Sequence, residues 1–94
     1  MQFPLRDYRI NLGEMGEWVT EWTSKVRPLR ERFGFEVVGA WTIAEEHRFV
    51  WILSHLDFAT ADRRYYESAE RREIEPDPAR HIAHATQNFM EPTP

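Results

Sequence analysis

Two neighbouring stretches of this sequence are rich in β-formers and apolar along much of their length. Residues 35–44 read FEVVGAWTIA and residues 48–56 read RFVWILSHL, with only Glu45-Glu46-His47 between them. Short apolar runs bounded by turn residues read as strands, and two in succession as a hairpin. The turn has no Asn-Gly signal, so the turn itself does not dictate the register. If residues 43 and 48 pair, the pleat sorts the side chains onto two faces. One face gathers Phe35, Val37, Gly39, Trp41, Val50, Ile52 and Leu56. The other gathers Glu36, Val38, Ala40, Thr42, Phe49, Trp51, Leu53 and His55. Both faces are substantially apolar, and both need cover.

The elements around the hairpin say how much cover the chain itself supplies. FPLRDYRINL at residues 3–12 alternates in polarity and stops at Gly13, as a first strand would. From there to Gly34 the period changes. Met15, Trp18, Val19, Trp22, Val26, Leu29 and Phe33 step by three and four, which places them on one helical face. Glu14, Glu17 and Glu21 early, then Lys25, Arg27, Arg30 and Arg32 late, occupy the opposite face in the order that suits the helix dipole. Pro28 predicts a kink and Gly34 a helix stop. Asp57 or Thr60 is placed to cap a second helix over 59–74, with Phe58, Ala61, Tyr65 and Ala69 as its inner stripe. Pro76-Asp77-Pro78 ends that helix, and an extended segment follows over about 83–90.

Strand, helix, strand, strand, helix, strand is the split βαβ order of an α+β, ferredoxin-like fold, βαββαβ, with a four-stranded antiparallel sheet. Two helices cover one face of such a sheet. The face carrying Phe49, Trp51, Leu53 and Val38 is then expected to lie open, a larger apolar patch than a monomer shows to water. A second copy would bury it. The expectation is a homodimer, two sheets face to face around a barrel-like interior, with residues 1–94 as one domain.

Composition narrows the chemistry by exclusion. Thirteen aromatic residues in 94 need a packed interior, which argues against disorder. The net charge of −4 is spread evenly, with 6 basic and 8 acidic side chains in each half. No basic stripe offers itself to phosphates, so nucleic acid is not an expected partner. No run approaches a membrane span, and MQFPLRDYRI has no signal-peptide core, so no membrane partner is expected. With no cysteine, disulfide, thiolate and Cys-zinc chemistry are excluded and the cytoplasm is the expected location. No phosphate loop, nucleophile elbow or HExxH occurs.

Several residues carry a resemblance as well. Arg6-x-Tyr8 on the first strand precedes a Gly-led helix ending in Val26-x-Pro28-Leu29-Arg30-x-x-x-Gly34-Phe35, followed by Val38-Gly39-x-Trp41. With the Trp51 strand, Asp57 leading into Arg63-Arg64, and Pro76-Asp77-Pro78, the chain resembles the NIPSNAP family over nearly its whole length. That resemblance implies membership of the dimeric α+β barrel superfamily, which includes small monooxygenases, cyclases and isomerases. It brings no agreed catalytic motif, so no catalytic residue is carried over.

The candidate chemistry therefore comes from the residues. In the assumed register His55 lies opposite Glu36 on the interior face, an arrangement suited to general acid–base work. A hydrogen-bonded histidine near a strand end is the plainer alternative. Thr42, Phe49 and Trp51 would line the same space, either as an aromatic wall for a flat ligand or as interface packing. Arg6 and Tyr8 share a strand face, where a guanidinium and a phenol could hold a carboxylate or enolate oxygen, or where the arginine is simply solvated. His81 and His84 sit at i,i+3, but with Asp77 they do not complete a ligand set, so no metal is expected. Tyr65 is expected inward on the second helix and Tyr66 outward.

Two functional readings follow. One is a homodimer binding a small hydrophobic or aromatic molecule between its sheets, with cofactor-independent oxygenation, cyclisation or isomerisation as the chemistry the superfamily resemblance suggests. The other is a non-catalytic interaction module whose dimer is the functional unit. No cofactor is expected. Heme binding, known among dimeric α+β barrels, would need an axial histidine, for which only His55 or His84 is placed.

Overall fold

The computed structural model describes residues 1–94. Strand β1 (Phe3–Ile10) leads into helix α1 (Met15–Glu21), a π-helical turn (Trp22–Val26) and helix α2 (Arg27–Arg32). The hairpin is β2 (Glu36–Ile43) and β3 (Arg48–Ser54), joined by a 3-10 turn over Ala44–Glu46. Helix α3 (Phe58–Glu67), a short α4 (Ala69–Arg72) and a 3-10 turn (Pro78–His81) lead to β4 (Ile82–Met90). The four strands form one antiparallel sheet in the order β2-β3-β1-β4, the ferredoxin-like arrangement. One sheet and one layer of helices make a slab 18 Å thick. No helix is long and apolar enough to cross a membrane.

The hairpin pairs Ile43 with Arg48, and the two strands keep that register as far as Gly39 opposite Ile52. There β2 carries a bulge at Val38. An extra residue in one strand moves everything beyond it to the opposite face. Val37 consequently joins Leu53 on the helix side, while Val38 is left exposed.

The bulge and the helix stripe together correct the expected assignment of faces. Phe49, Trp51 and Leu53 do not form the open face; they are buried at 3%, 1% and 0% exposure among the core residues. The reason is aromatic packing. Trp18 and Trp22 from the first helical segment meet Phe49 edge to face at 5.5 and 5.1 Å, and Trp22 meets Trp51 at 5.4 Å. Each such pair adds about 0.5–1.5 kcal/mol beyond the area it buries, and the hairpin's opposite face offers only Trp41 for the purpose. The uncovered face instead carries Leu5, Val50, Ile52 and a half-exposed Trp41. It is still apolar at its centre, with the Arg48–Asp7 ion pair beside it.

Pro28 does not simply kink the first helix. The chain widens into the π turn just ahead of it, so that Pro28 enters α2 in its first turn, where a missing N–H costs little. Gly34 then stops α2 as its stop signal predicts. At φ 88° it occupies the left-handed region, its N–H donating to the Glu31 carbonyl at 3.0 Å and that of Phe35 to the Arg30 carbonyl at 3.1 Å. The second helix breaks earlier than its pattern implies, because Ser68 turns extended and its hydroxyl caps α4 by accepting from the Arg71 N–H at 3.1 Å.

Candidate functional site between sheet and helices

The π turn has a consequence for chemistry. One additional residue in a helical turn rotates every later side chain by roughly 100°, one residue's worth of an α-helix. Arg30, which an uninterrupted helix would present to solvent, is thereby turned onto the inner face and is 1% exposed. Its guanidinium carbon lies 3.8 Å from the centroid of the Tyr65 ring and 4.7 Å from that of Phe35. A cation over aromatic faces is favoured most where water is excluded.

Arg30 meets Arg6 of β1 through α3. Asp62 Oδ1 accepts from Arg30 Nη1 at 2.7 Å and from Arg6 Nη2 at 3.1 Å. The Tyr66 hydroxyl accepts from Arg6 Nη1 at 2.9 Å and from Arg30 Nη2 at 3.1 Å. Arg6 Nε donates to Gln87 Oε1 of β4 at 2.7 Å, and Nη1 also lies 3.5 Å from the Tyr8 hydroxyl. Burial works against the charge on Arg6, yet the neighbouring Tyr8, Tyr66 and Asp62 hold its pKa above the ordinary guanidinium value. The Tyr65 phenol is pushed up by burial.

This cluster lies against open space. A cavity of about 70 Å³ is lined by Tyr8, Trp18, Arg30, Trp51, Tyr65 and Tyr66 among others. A wider groove of about 260 Å³, bordered by Arg6, Tyr8, Tyr66, Ile82, Ala85 and Gln87, shares Tyr8, Tyr66 and Ile82 with it. Small-molecule sites begin at about 300 Å³, so this cleft suits a ligand of one ring rather than several. Trp18 Nε1, Trp51 Nε1, Arg30 Nε and the Tyr65 hydroxyl are buried and have no hydrogen-bond partner in the chain, as is Trp22 Nε1 in the core behind.

The residues singled out from sequence distribute unevenly over this geometry. Arg6 and Tyr8 are both at the cleft. Trp51 lines its cavity from the sheet side, whereas Phe49 is packed behind it among the core residues. Thr42 pairs with Phe49 near the hairpin turn and is exposed, away from the cleft. His55 and Glu36 are not opposite each other: the Val38 bulge pairs Glu36 with Ser54 and places His55 beyond the end of β3. His55 packs on Phe35 with ring centroids 5.1 Å apart, and its Nδ1 accepts the Asp57 N–H at 2.9 Å at the start of α3. Tyr65 is buried and Tyr66 is 45% exposed, at the cleft mouth. Sequence reasoning missed Arg30, Asp62 and Gln87. Pro28 preceded by Ser24, whose hydroxyl bonds back to the Thr20 carbonyl at 2.7 Å, was the one local sign of a change in helix pitch.

His81 and His84 also part company. His84 is exposed on β4 opposite Arg9. His81 is buried, with Nδ1 2.7 Å from Glu14 Oε1 and Nε2 3.2 Å from Glu21 Oε2. Glu17, Glu21 and His81 bring three donor atoms within 4.8 Å of one another. Glu21, however, already accepts from Arg80 at 2.9 and 2.7 Å, so charge pairing accounts for the cluster. Burial opposes a charge on His81, but bonds to Glu14 and Glu21 outweigh it and its pKa is raised. Glu14, bonded by His81, and Glu21, bonded by Arg80, are lowered.

The signs give a pH prediction. The raised histidine contributes stability that is complete below its unfolded pKa of about 6.5 and is lost as pH rises through the folded value. The lowered carboxylates contribute above about 4.3 and lose it as pH falls through their folded values. Urea denaturation at a series of pH values should show greatest stability between these limits. In His81→Gln the decline as pH rises above about 6.5 should vanish; a variant that keeps it would place that limb elsewhere.

A NIPSNAP family model matches residues 3–94. A NIPSNAP domain protein from Burkholderia xenovorans superposes with a TM-score of 0.87 at 18% identity, over 99% of this chain and 95% of the other. A NIPSNAP family protein from Agrobacterium tumefaciens gives 0.87 at 15% identity, over 98% and 92%. A protein described as an antibiotic biosynthesis monooxygenase gives 0.65 at 16% identity, over 100% of both chains. A search of curated proteins found no match. At such identities the structural likenesses establish the fold, while the family model spans nearly every residue: the chain belongs to the NIPSNAP family.

Proposed function

We propose that the protein is a homodimer in which each protomer binds a small aromatic or hydrophobic molecule in the cleft between its own sheet and helices. The cavity and groove around Arg6, Tyr8 and Tyr66 carry this reading, because aromatic walls with a few convergent polar groups are the usual make-up of a small-molecule site. Dimerisation is supported by the sheet face opposite the helices, where Leu5, Val50 and Ile52 are only partly buried and Trp41 is half exposed. The ligand therefore belongs inside a protomer, and the space between paired sheets belongs to the interface. Similarity in fold to an antibiotic biosynthesis monooxygenase carries no residue over at 16% identity, and the proposal is one of binding.

Calorimetric titration with phenol, a one-ring molecule, tests the location. It should bind saturably with one site per protomer. Ala85→Trp, which fills the groove from β4, should weaken that site at least tenfold, a loss of about 1.4 kcal/mol. Trp41→Ala on the open sheet face should leave it unchanged. The reverse pattern would put the site on the wrong side of the sheet.

A further inference from the structure

Resting on that binding site, we infer that the natural ligand presents an anionic oxygen, a carboxylate, phenolate or enolate, to Arg6, Arg30 and Tyr66. The first observation is a charge imbalance. Two guanidiniums at 7% and 1% exposure share a single carboxylate oxygen, Asp62 Oδ1. A buried charge without compensation is costly, so one negative charge is wanting at this spot. Arg71, which also lines the cavity, does not change the balance, because it has its own partner in Asp77 at 3.0 Å.

The second observation is the direction of the hydrogen bonds. Both lone pairs of the Tyr66 hydroxyl are taken by arginine N–H groups, which leaves it only a proton to give. Arg30 Nε and the indole nitrogens of Trp18 and Trp51 are donors by their chemistry, and none has a partner. The acceptors nearby, Asp62 Oδ1 and Gln87 Oε1, are already engaged by the arginines. The cleft thus offers donors and asks for acceptors. The unpartnered Tyr65 hydroxyl and Asp62 Oδ2 can accept an N–H, but the donors outnumber them, and only an oxyanion meets those donors and also supplies the missing charge. Ile82 and Ala85 on the groove wall leave an apolar berth for the rest of the molecule.

Benzoate and its neutral near-isostere benzamide separate the possibilities by calorimetric titration of the full chain. Benzoate should bind at least tenfold more tightly than benzamide. Asp62→Asn, which removes the only carboxylate of the cluster, should tighten benzoate binding and enlarge the rise in Tm that benzoate causes. Arg30→Gln should abolish the preference for benzoate; should that variant fail to fold, Asp62→Asn carries the test with the opposite sign. Equal affinities, a preference for benzamide, or weaker benzoate binding in Asp62→Asn would overturn the anionic head while leaving the cleft as a binding site. Binding of neither compound would overturn both.

Discussion

Trp51→Ala is expected to remove a large part of the protein's stability at 25 °C. Trp51 is 1% exposed and lies at the centre of the aromatic core, edge to face with Trp22 at 5.4 Å and Tyr8 at 6.5 Å. Removing a buried tryptophan costs about 3–5 kcal/mol. A chain of this length is stable by only about 5–14 kcal/mol in total. The loss is compounded because Trp51 also supplies an aromatic face to Arg6 and Arg30, at 5.8 and 5.7 Å. Urea denaturation should show the midpoint falling by about a fifth or more. Had Trp51 stood on the open face, as the sequence pattern first implies, the same change would barely alter stability and would act on self-association instead.

The neighbouring residue should behave in the opposite way. Ile52 points to the uncovered side of the sheet, paired with Leu5 on β1 and Gly39 on β2. Ile52→Glu is expected to preserve the fold and disrupt the proposed dimer, since it would bury an unpaired charge where we propose that two sheets meet, a cost of several kcal/mol. Sedimentation should give a particle near the 11.3 kDa of one chain, against roughly twice that for the unaltered protein. Far-ultraviolet dichroism should not change. A dimer of undiminished strength would show that the sheets do not meet through this face. Two adjacent substitutions with exchanged consequences test the strand register more sharply than either alone.

Much of the fold was legible because its signals are local. The apolar step of three and four from Met15 to Phe33, the stop at Gly34 and the hairpin flanking Glu45-Glu46-His47 each announce an element without reference to the rest. Their order then implies the sheet. What the pattern could not decide was the side of the sheet that the helices take. With Trp41, Val50 and Ile52 on one face and Phe49, Trp51 and Leu53 on the other, hydropathy is nearly balanced, and the choice rests on which aromatics interlock with Trp18 and Trp22.

The site was harder to read for a related reason: it depends on two one-residue irregularities. The Val38 bulge separates Glu36 from His55, and the π turn before Pro28 swings Arg30 inward. Periodicity assumes that neither exists. Arg6 and Tyr8 could be paired from sequence because β1 runs without interruption between them, two residues apart on a regular pleat. Asp62, on α3, lies 56 and 32 residues from its arginines, a closeness that only the folded chain creates.

The indole N–H resonances of the four tryptophans give the most direct test of where a ligand sits. In a nitrogen-15 correlation spectrum titrated with benzoate, the signals of Trp18 and Trp51, whose unpartnered nitrogens belong to residues lining the cavity, should move and saturate together. Trp41 on the outer sheet face should stay in place. Movement of Trp41 with Trp18 and Trp51 unmoved would put the ligand between protomers and contradict a binding cleft within each one.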